Sequence, residues 1–91
     1  MTKRRSYDDK EYTKWRKAVR KRDGSKCQWP GCKCRRKLQV HHIVMWTRAP
    51  FLRYVVENGI TLCKKHHEML RGKEEIYAKM LLGIVEAKAK K

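Results

Sequence analysis

Leu62–Leu70 reads LCKKHHEML and holds two of the four histidines in the chain, His66 and His67, side by side. The other two are also adjacent, His41 and His42 in LQVHHIVMW (Leu38–Trp46). From Cys63 the pattern is helical, and neighbours on a helix point about 100° apart. If His66 faces one partner, His67 must face another. Leu38 and Val40 alternate with polar neighbours as in a short strand, where successive side chains point to opposite faces. His41 and His42 can share one site only if the strand ends there and the chain turns.

The four cysteines, Cys27, Cys32, Cys34 and Cys63, bear on the same question. A chain of 91 residues is read as one domain (1–91), with a core over about 12–72 and a C-terminal helix and basic tail over 73–91. A chain this short buries little apolar surface, so metal, disulfides or association often help it fold. MTKRRSYDDK has no apolar stretch of the kind a secretory signal needs, and the longest apolar run, MLLGIV, is far too short to span a bilayer. A reduced, cytoplasmic protein without membrane contact is expected, and there a cysteine cluster reads as metal-binding. Structural zinc takes four Cys or His ligands. Cys27-x4-Cys32 offers two from a knuckle, and Cys63-x2-His66 offers two more from one helix face. Cys27-x6-Cys34 is also within reach, although the Pro30-Gly31 turn folds Cys32 back toward Cys27 and favours it.

Charge is the other strong bound. Lys and Arg number 25 against nine Asp and Glu, a net of +16, and residues 1–37 alone carry 15 basic and four acidic side chains. An excess so uneven concentrates polyanions, and nucleic acid is the expected partner, bound with salt-dependent affinity. An anionic membrane is disfavoured because no strongly amphipathic basic helix with an aromatic face is present.

Along the chain, SYDDKEYTKWRKAVRKRDGSKC (6–27) predicts a helix capped at Ser6 or Asp8 and stopped at Gly24. Tyr12, Trp15 and Val19 form its apolar stripe. Its other faces are almost wholly basic, which makes Lys14, Arg16, Lys17, Arg20 and Lys21 candidates for phosphate contact, with Arg35 and Arg36 beyond the knuckle. TRAPFLRYVVEN (47–58) predicts a short helix beginning near Pro50, and GITLC (59–63) a second short strand. KEEIYAKMLLGIVEAKAK (73–90) predicts a final helix with Ile76, Tyr77, Met80, Leu81, Ile84 and Val85 on one side, packing against the rest of the chain or against a partner. The expected order is helix, knuckle, strand, long loop, strand, helix, helix.

CQWPGC, LQVHHI, ENGITLC and CKKHH, taken together over Cys27–His67, resemble the HNH nucleases, also called ββα-metal or His-Me finger nucleases. The likeness extends more loosely to the helix from Trp15. It implies a small α+β fold, a ββα-metal core with a zinc knuckle flanked by a basic N-terminal helix and a C-terminal helix. It implies that His42 is the general base and that His67 and His41 are ligands of one catalytic divalent ion. Asn58 would either bind that ion or hold the loop carrying the base. Cys27, Cys32, Cys63 and His66 match a structural zinc site that in many members is all cysteine. Small members are frequent in phage genomes, some working with DNA-packaging machinery. The resemblance therefore implies double-stranded DNA as partner, host cytoplasm as location, and possible homodimers.

Phosphodiester hydrolysis needs an activated water, and neutral imidazole can serve as its base near pH 7. Arg48 or Arg53 would be placed to stabilise the phosphate. The family usually has Asp or His where His41 stands, and His leaves nitrogen rather than hard oxygen ligands. The expectation is that Mn²⁺ or Ni²⁺ supports cleavage at least as well as Mg²⁺. Two other readings share the composition. A non-catalytic zinc-stapled nucleic-acid-binding module needs the knuckle and charge but not His42, and an RNA-binding protein leaves the second histidine constellation unexplained.

Overall fold

The computed structural model describes residues 10–44 and 50–89 of a small α+β protein: an N-terminal helix, an antiparallel strand pair and C-terminal helices. α1 spans Lys10–Arg22 and buries Tyr12, Trp15 and Val19, the stripe expected from their spacing. Gly24 ends it at φ +65°, with its N–H on the Lys21 carbonyl at 3.2 Å and that of Ser25 on the Arg20 carbonyl at 2.9 Å. Both bonds satisfy carbonyls that the last helical turn leaves open. The caps proposed at Ser6 and Asp8 lie outside the described residues.

β1 (Leu38–His42) pairs antiparallel with β2 (Gly59–Cys63), with Val40 opposite Thr61 and His42 opposite Gly59. The two-residue period of the strands splits the ladder into two faces. Val40 packs on α1 with Tyr12, Trp15 and Val19. A Cβ at Gly59 would stand 2.6 Å from the side chains of both Trp15 and Val19, so α1 can lie this close only over a glycine. On the other face Ile60 and Leu62 join Cys27, Ile43, Leu70 at the end of α2 (Lys64–Met69), and Leu81 and Val85 of α3 (Glu74–Ala89).

Arg22 and Asp23 tie α1 to the ladder. Buried Asp23 accepts from Arg22 Nε and Nη2 at 2.8 and 2.9 Å and from the Thr61 backbone N–H at 2.9 Å. Arg22 donates further to the carbonyls of Val56 (3.0 Å) and Gly59 (2.7 Å). Arg22 is thus a structural clamp, unlike the exposed Lys21 beside it.

Two expectations need correction. The stretch 50–58 forms two short 3-10 turns, Pro50–Leu52 and Val56–Asn58, in place of a helix. The turns are closed by i→i+3 bonds, Val55 N–H to the Leu52 carbonyl at 3.2 Å and Asn58 N–H to the Val55 carbonyl at 3.0 Å. The Val55 and Val56 carbonyls also accept from Trp15 Nε1 (2.8 Å) and Arg22 Nη1 (3.0 Å). In α3 the six apolar residues do not share one side: Leu81 and Val85 are buried in the core, but Ile76 is 74% and Met80 37% exposed. A helix apolar on more than one face does not announce which face is covered. Among the described residues no helix is long and apolar enough to cross a membrane.

Candidate metal centre and the histidine pairs

The knuckle is built by a tight turn. The Cys32 N–H donates to the Trp29 carbonyl at 2.9 Å and Gly31 sits at φ +82°, a type II turn with Pro30 and Gly31 in its central positions. It returns Cys32 to Cys27, while α2, starting directly after Cys63, brings His66 round on its first turn. The ligand atoms of Cys27, Cys32, Cys63 and His66 all lie within 4.8 Å of one another. His66 Nδ1 stands 3.3 Å from Cys63 Sγ and 3.6 Å from Cys27 Sγ. Zinc bonds at tetrahedral angles would put sulfur and nitrogen about 3.5 Å apart, so this donor set fits a structural zinc ion.

The electrostatics point the same way. None of the four cysteines is in a disulfide. Burial pushes the Cys27 thiol up to about 11. Burial also raises Cys63, but the His66 backbone N–H and the Cys27 and Cys32 side chains outweigh it and hold Cys63 below the usual thiol range. A thiolate crowded by thiols is a negative charge in want of a cation. Burial, aided by the charge of Lys65, lowers His66 and keeps its ring neutral, as a ligand must be.

Trp29 lies on the His66 ring, centroids 5.0 Å apart and planes within 9°, and meets Tyr77 of α3 edge-on at 5.4 Å. Its position inside the knuckle was the only sequence signal for this role. Cys34 stays outside the four-residue group. Its thiol donates to the Arg36 carbonyl at 3.5 Å, and its own carbonyl accepts from the Cys27 N–H at 2.9 Å.

The second members of the pairs go elsewhere. His67 meets His41 edge-on, ring centroids 5.5 Å apart and planes at 79°. His41 is buried, and its Nε2 has no hydrogen-bond partner among the described residues. Burial, reinforced by His67 and His42 against the opposing Glu74, lowers His41 to about 4. A buried polar atom left unsatisfied costs about 1–3 kcal/mol. A neutral imidazole nitrogen without a partner, beside a second imidazole, is the donor chemistry a divalent ion takes.

His42 turns to the α1 face. Its ring stacks on Trp15, and its Nε2 lies 2.8 Å from the Arg53 carbonyl. A carbonyl only accepts, so Nε2 carries a proton. Asn58, 2% exposed, spends its side chain on backbone: Oδ1 accepts from the Val44 N–H at 2.8 Å, and Nδ2 donates to the Val44 and Leu52 carbonyls at 3.0 and 3.3 Å. It pins the chain leaving β1 to the chain entering β2.

Of the candidate phosphate contacts, Lys14, Lys17, Lys21, Arg35 and Arg36 are exposed, while Arg16 and Arg20 are half-buried. The Arg16 guanidinium lies 5.9 Å from the Tyr12 ring centroid, and Arg35 Nη1 donates to the Gly24 carbonyl at 3.0 Å. The Arg53 guanidinium lies 5.8 Å from the Tyr54 ring centroid, and Arg48 falls outside the described residues. The chain matches no protein-family model, no curated protein and no solved structure.

Proposed function

We propose that this chain is a metal-dependent DNA endonuclease of the HNH type, with a ββα-metal core and His42 as general base. The observation that carries the reading is His41 Nε2, buried beside His67 with no hydrogen-bond partner among the described residues and one residue from an imidazole whose Nε2 lies 2.8 Å from the Arg53 carbonyl. In this reading His42 Nδ1 takes a proton from water as the water oxygen bonds to phosphorus. The Nε2–H bond to the Arg53 carbonyl stabilises the imidazolium that forms, and the Trp15 face fixes the ring. The bond from phosphorus to the 3′ oxygen breaks, leaving a 5′-phosphate and a 3′-hydroxyl that takes its proton from solvent.

A divalent ion held by His41 and His67 would supply Lewis-acid stabilisation of the phosphate and the departing oxygen. Asn58 serves by fixing the loop, because its carboxamide is already bonded to Val44 and Leu52. Lys14, Lys17, Lys21, Arg35 and Arg36 hold the duplex through its phosphates, which position without specifying sequence. Zinc on Cys27, Cys32, Cys63 and His66 would join the knuckle to α2 and so fix the helix that carries His67.

The test is an end-labelled duplex incubated with zinc-loaded protein and Mn²⁺. The wild type is expected to release fragments with 5′-phosphate ends, and His42→Ala to shift the duplex on a gel without cutting it. If both proteins shift the duplex and neither cuts, the chain is a zinc-stapled nucleic-acid-binding module instead.

A further inference from the structure

The proposed chemistry leaves the outer face of α3 unused. Ile76 is 74% and Met80 37% exposed, and Gly83 and Ala87 are exposed with them. Spacings of four, three and four residues set these side chains on one stripe of the helix, as in a coiled-coil seam. Gly83 is not required by packing among the described residues, since a Cβ there would meet none of them within 4 Å. An exposed glycine inside a helix costs about 1 kcal/mol relative to alanine, and what it offers is close approach by another backbone.

We propose that this stripe is the contact surface for a second copy of the chain, the two α3 helices packing antiparallel about a two-fold axis. Charge selects the occupant. At +16 overall, the chain repels its own copies over most of its surface. α1 carries seven basic side chains and one acidic one, but α3 carries three acidic and two basic, so α3 can meet another α3 without net repulsion.

Charge also selects the direction. Antiparallel alignment of the stripe sets Ile76 level with Ala87 and Met80 level with Gly83. Exposed Lys79 and Glu86 lie on the same flank of the stripe, so this alignment brings Lys79 of one copy beside Glu86 of the other, twice over by symmetry. Parallel pairing would bring Lys79 to Ile84, which offers no charge. On the opposite flank half-buried Tyr77 and Ile84 extend the apolar surface. One helix pair is a small interface, so the dimer is weak and concentration-dependent. The pairing stands independently of the endonuclease reading; for an endonuclease it would carry two active sites, one for each strand.

Sedimentation equilibrium of the zinc-loaded full chain, from micromolar to submillimolar concentration, tests it without reference to cleavage. The wild type is expected to rise from the mass of one chain toward two. Ile76→Glu with Met80→Glu should stay at one chain with an unchanged melt, since both side chains are exposed. Lys79→Glu or Glu86→Lys alone should weaken the dimer about fivefold, and the two together should restore it. A wild type monomeric at every concentration would leave the face to a different protein and overturn the proposal. Single reversals without effect, or a double reversal worse than either, would overturn it equally.

Discussion

The His42 imidazole lies flat on the Trp15 indole, ring centroids 4.0 Å apart and planes within 10° of parallel. Trp15 is held in turn by its Nε1–H bond to the Val55 carbonyl at 2.8 Å, two residues from the Arg53 carbonyl that fixes His42. The orientation of the proposed base is therefore a property of how α1 sits on the ladder, and that seat depends on Gly59.

Gly59→Ala should disturb both fold and chemistry. The added Cβ would stand 2.6 Å from Trp15 and Val19 side chains. Overpacking of this kind costs about 1–3 kcal/mol. Because the displaced ring is the one under His42, cleavage should fall about tenfold or more at temperatures where the variant is still folded. Thermal melts beside plasmid-cleavage rates check this. A lowered melt with an unchanged rate would show that the stack is dispensable.

Zinc removal should unfold the domain, and the cysteines should not contribute equally. A strong chelator, Cys32→Ala or Cys63→Ala is expected to abolish bound zinc and the cooperative melt together, since structural zinc binding is folding energy in small domains. Cys34→Ala should keep both, because its thiol lies outside the four-ligand group. Zinc analysis with circular-dichroism melts decides; a Cys34 variant that loses its metal would contradict the assignment.

Much of this arrangement was legible in local spacing. The 100° between helical neighbours divides His66 from His67, and strand alternation divides His41 from His42. Pro30-Gly31 marks the turn that selects Cys32, and the Tyr12/Trp15/Val19 stripe marks the buried face of α1. The missing parts depend on partners distant in sequence. Asp23 reads as a helix-end acid until Thr61 and Arg22 meet it, and Gly59 reads as a strand start until Trp15 covers it. For Asn58 the resemblance offers loop-holding as one of two roles, but nothing in the spacing says that Val44 and Leu52 are what its carboxamide braces. In α3, apolar residues occupy two faces, and only the position of the core shows that Leu81 and Val85 are inside while Ile76 and Met80 are outside.

Stability should fall in acid partly through His41. Burial holds its folded pKa down at about 4 against an ordinary 6.5. The unfolded chain therefore takes up a proton that the folded chain refuses. This contribution is complete above about pH 6.5 and is lost as pH falls toward 4, to a total of about 3 kcal/mol. Zinc release from the thiols acts in the same direction in any variant, so the comparison is wild type against His41→Gln, which does not titrate. Denaturant titrations between pH 7 and 5 should show a steeper fall for the wild type (the range follows from the shift). Parallel curves would contradict the buried, neutral state of His41.

In the proposed endonuclease, the metal that supports cleavage should reflect nitrogen ligands. With His41 and His67 as donors and Asn58 Oδ1 already bonded to Val44, Mn²⁺ or Ni²⁺ is expected to support cleavage at least as well as Mg²⁺. Initial rates over a titration of each metal, in protein loaded with zinc beforehand, measure this. Mg²⁺ clearly best would mean that oxygen donors dominate the site.

The division of the two pairs is most directly tested by supercoiled-plasmid conversion with Mn²⁺, using the four single His→Ala variants beside the wild type. The predicted result is loss of conversion in His41, His42 and His67 variants that still bind zinc and melt cooperatively, with His66→Ala alone losing zinc and fold. Conversion at the wild-type rate by His42→Ala would contradict the account.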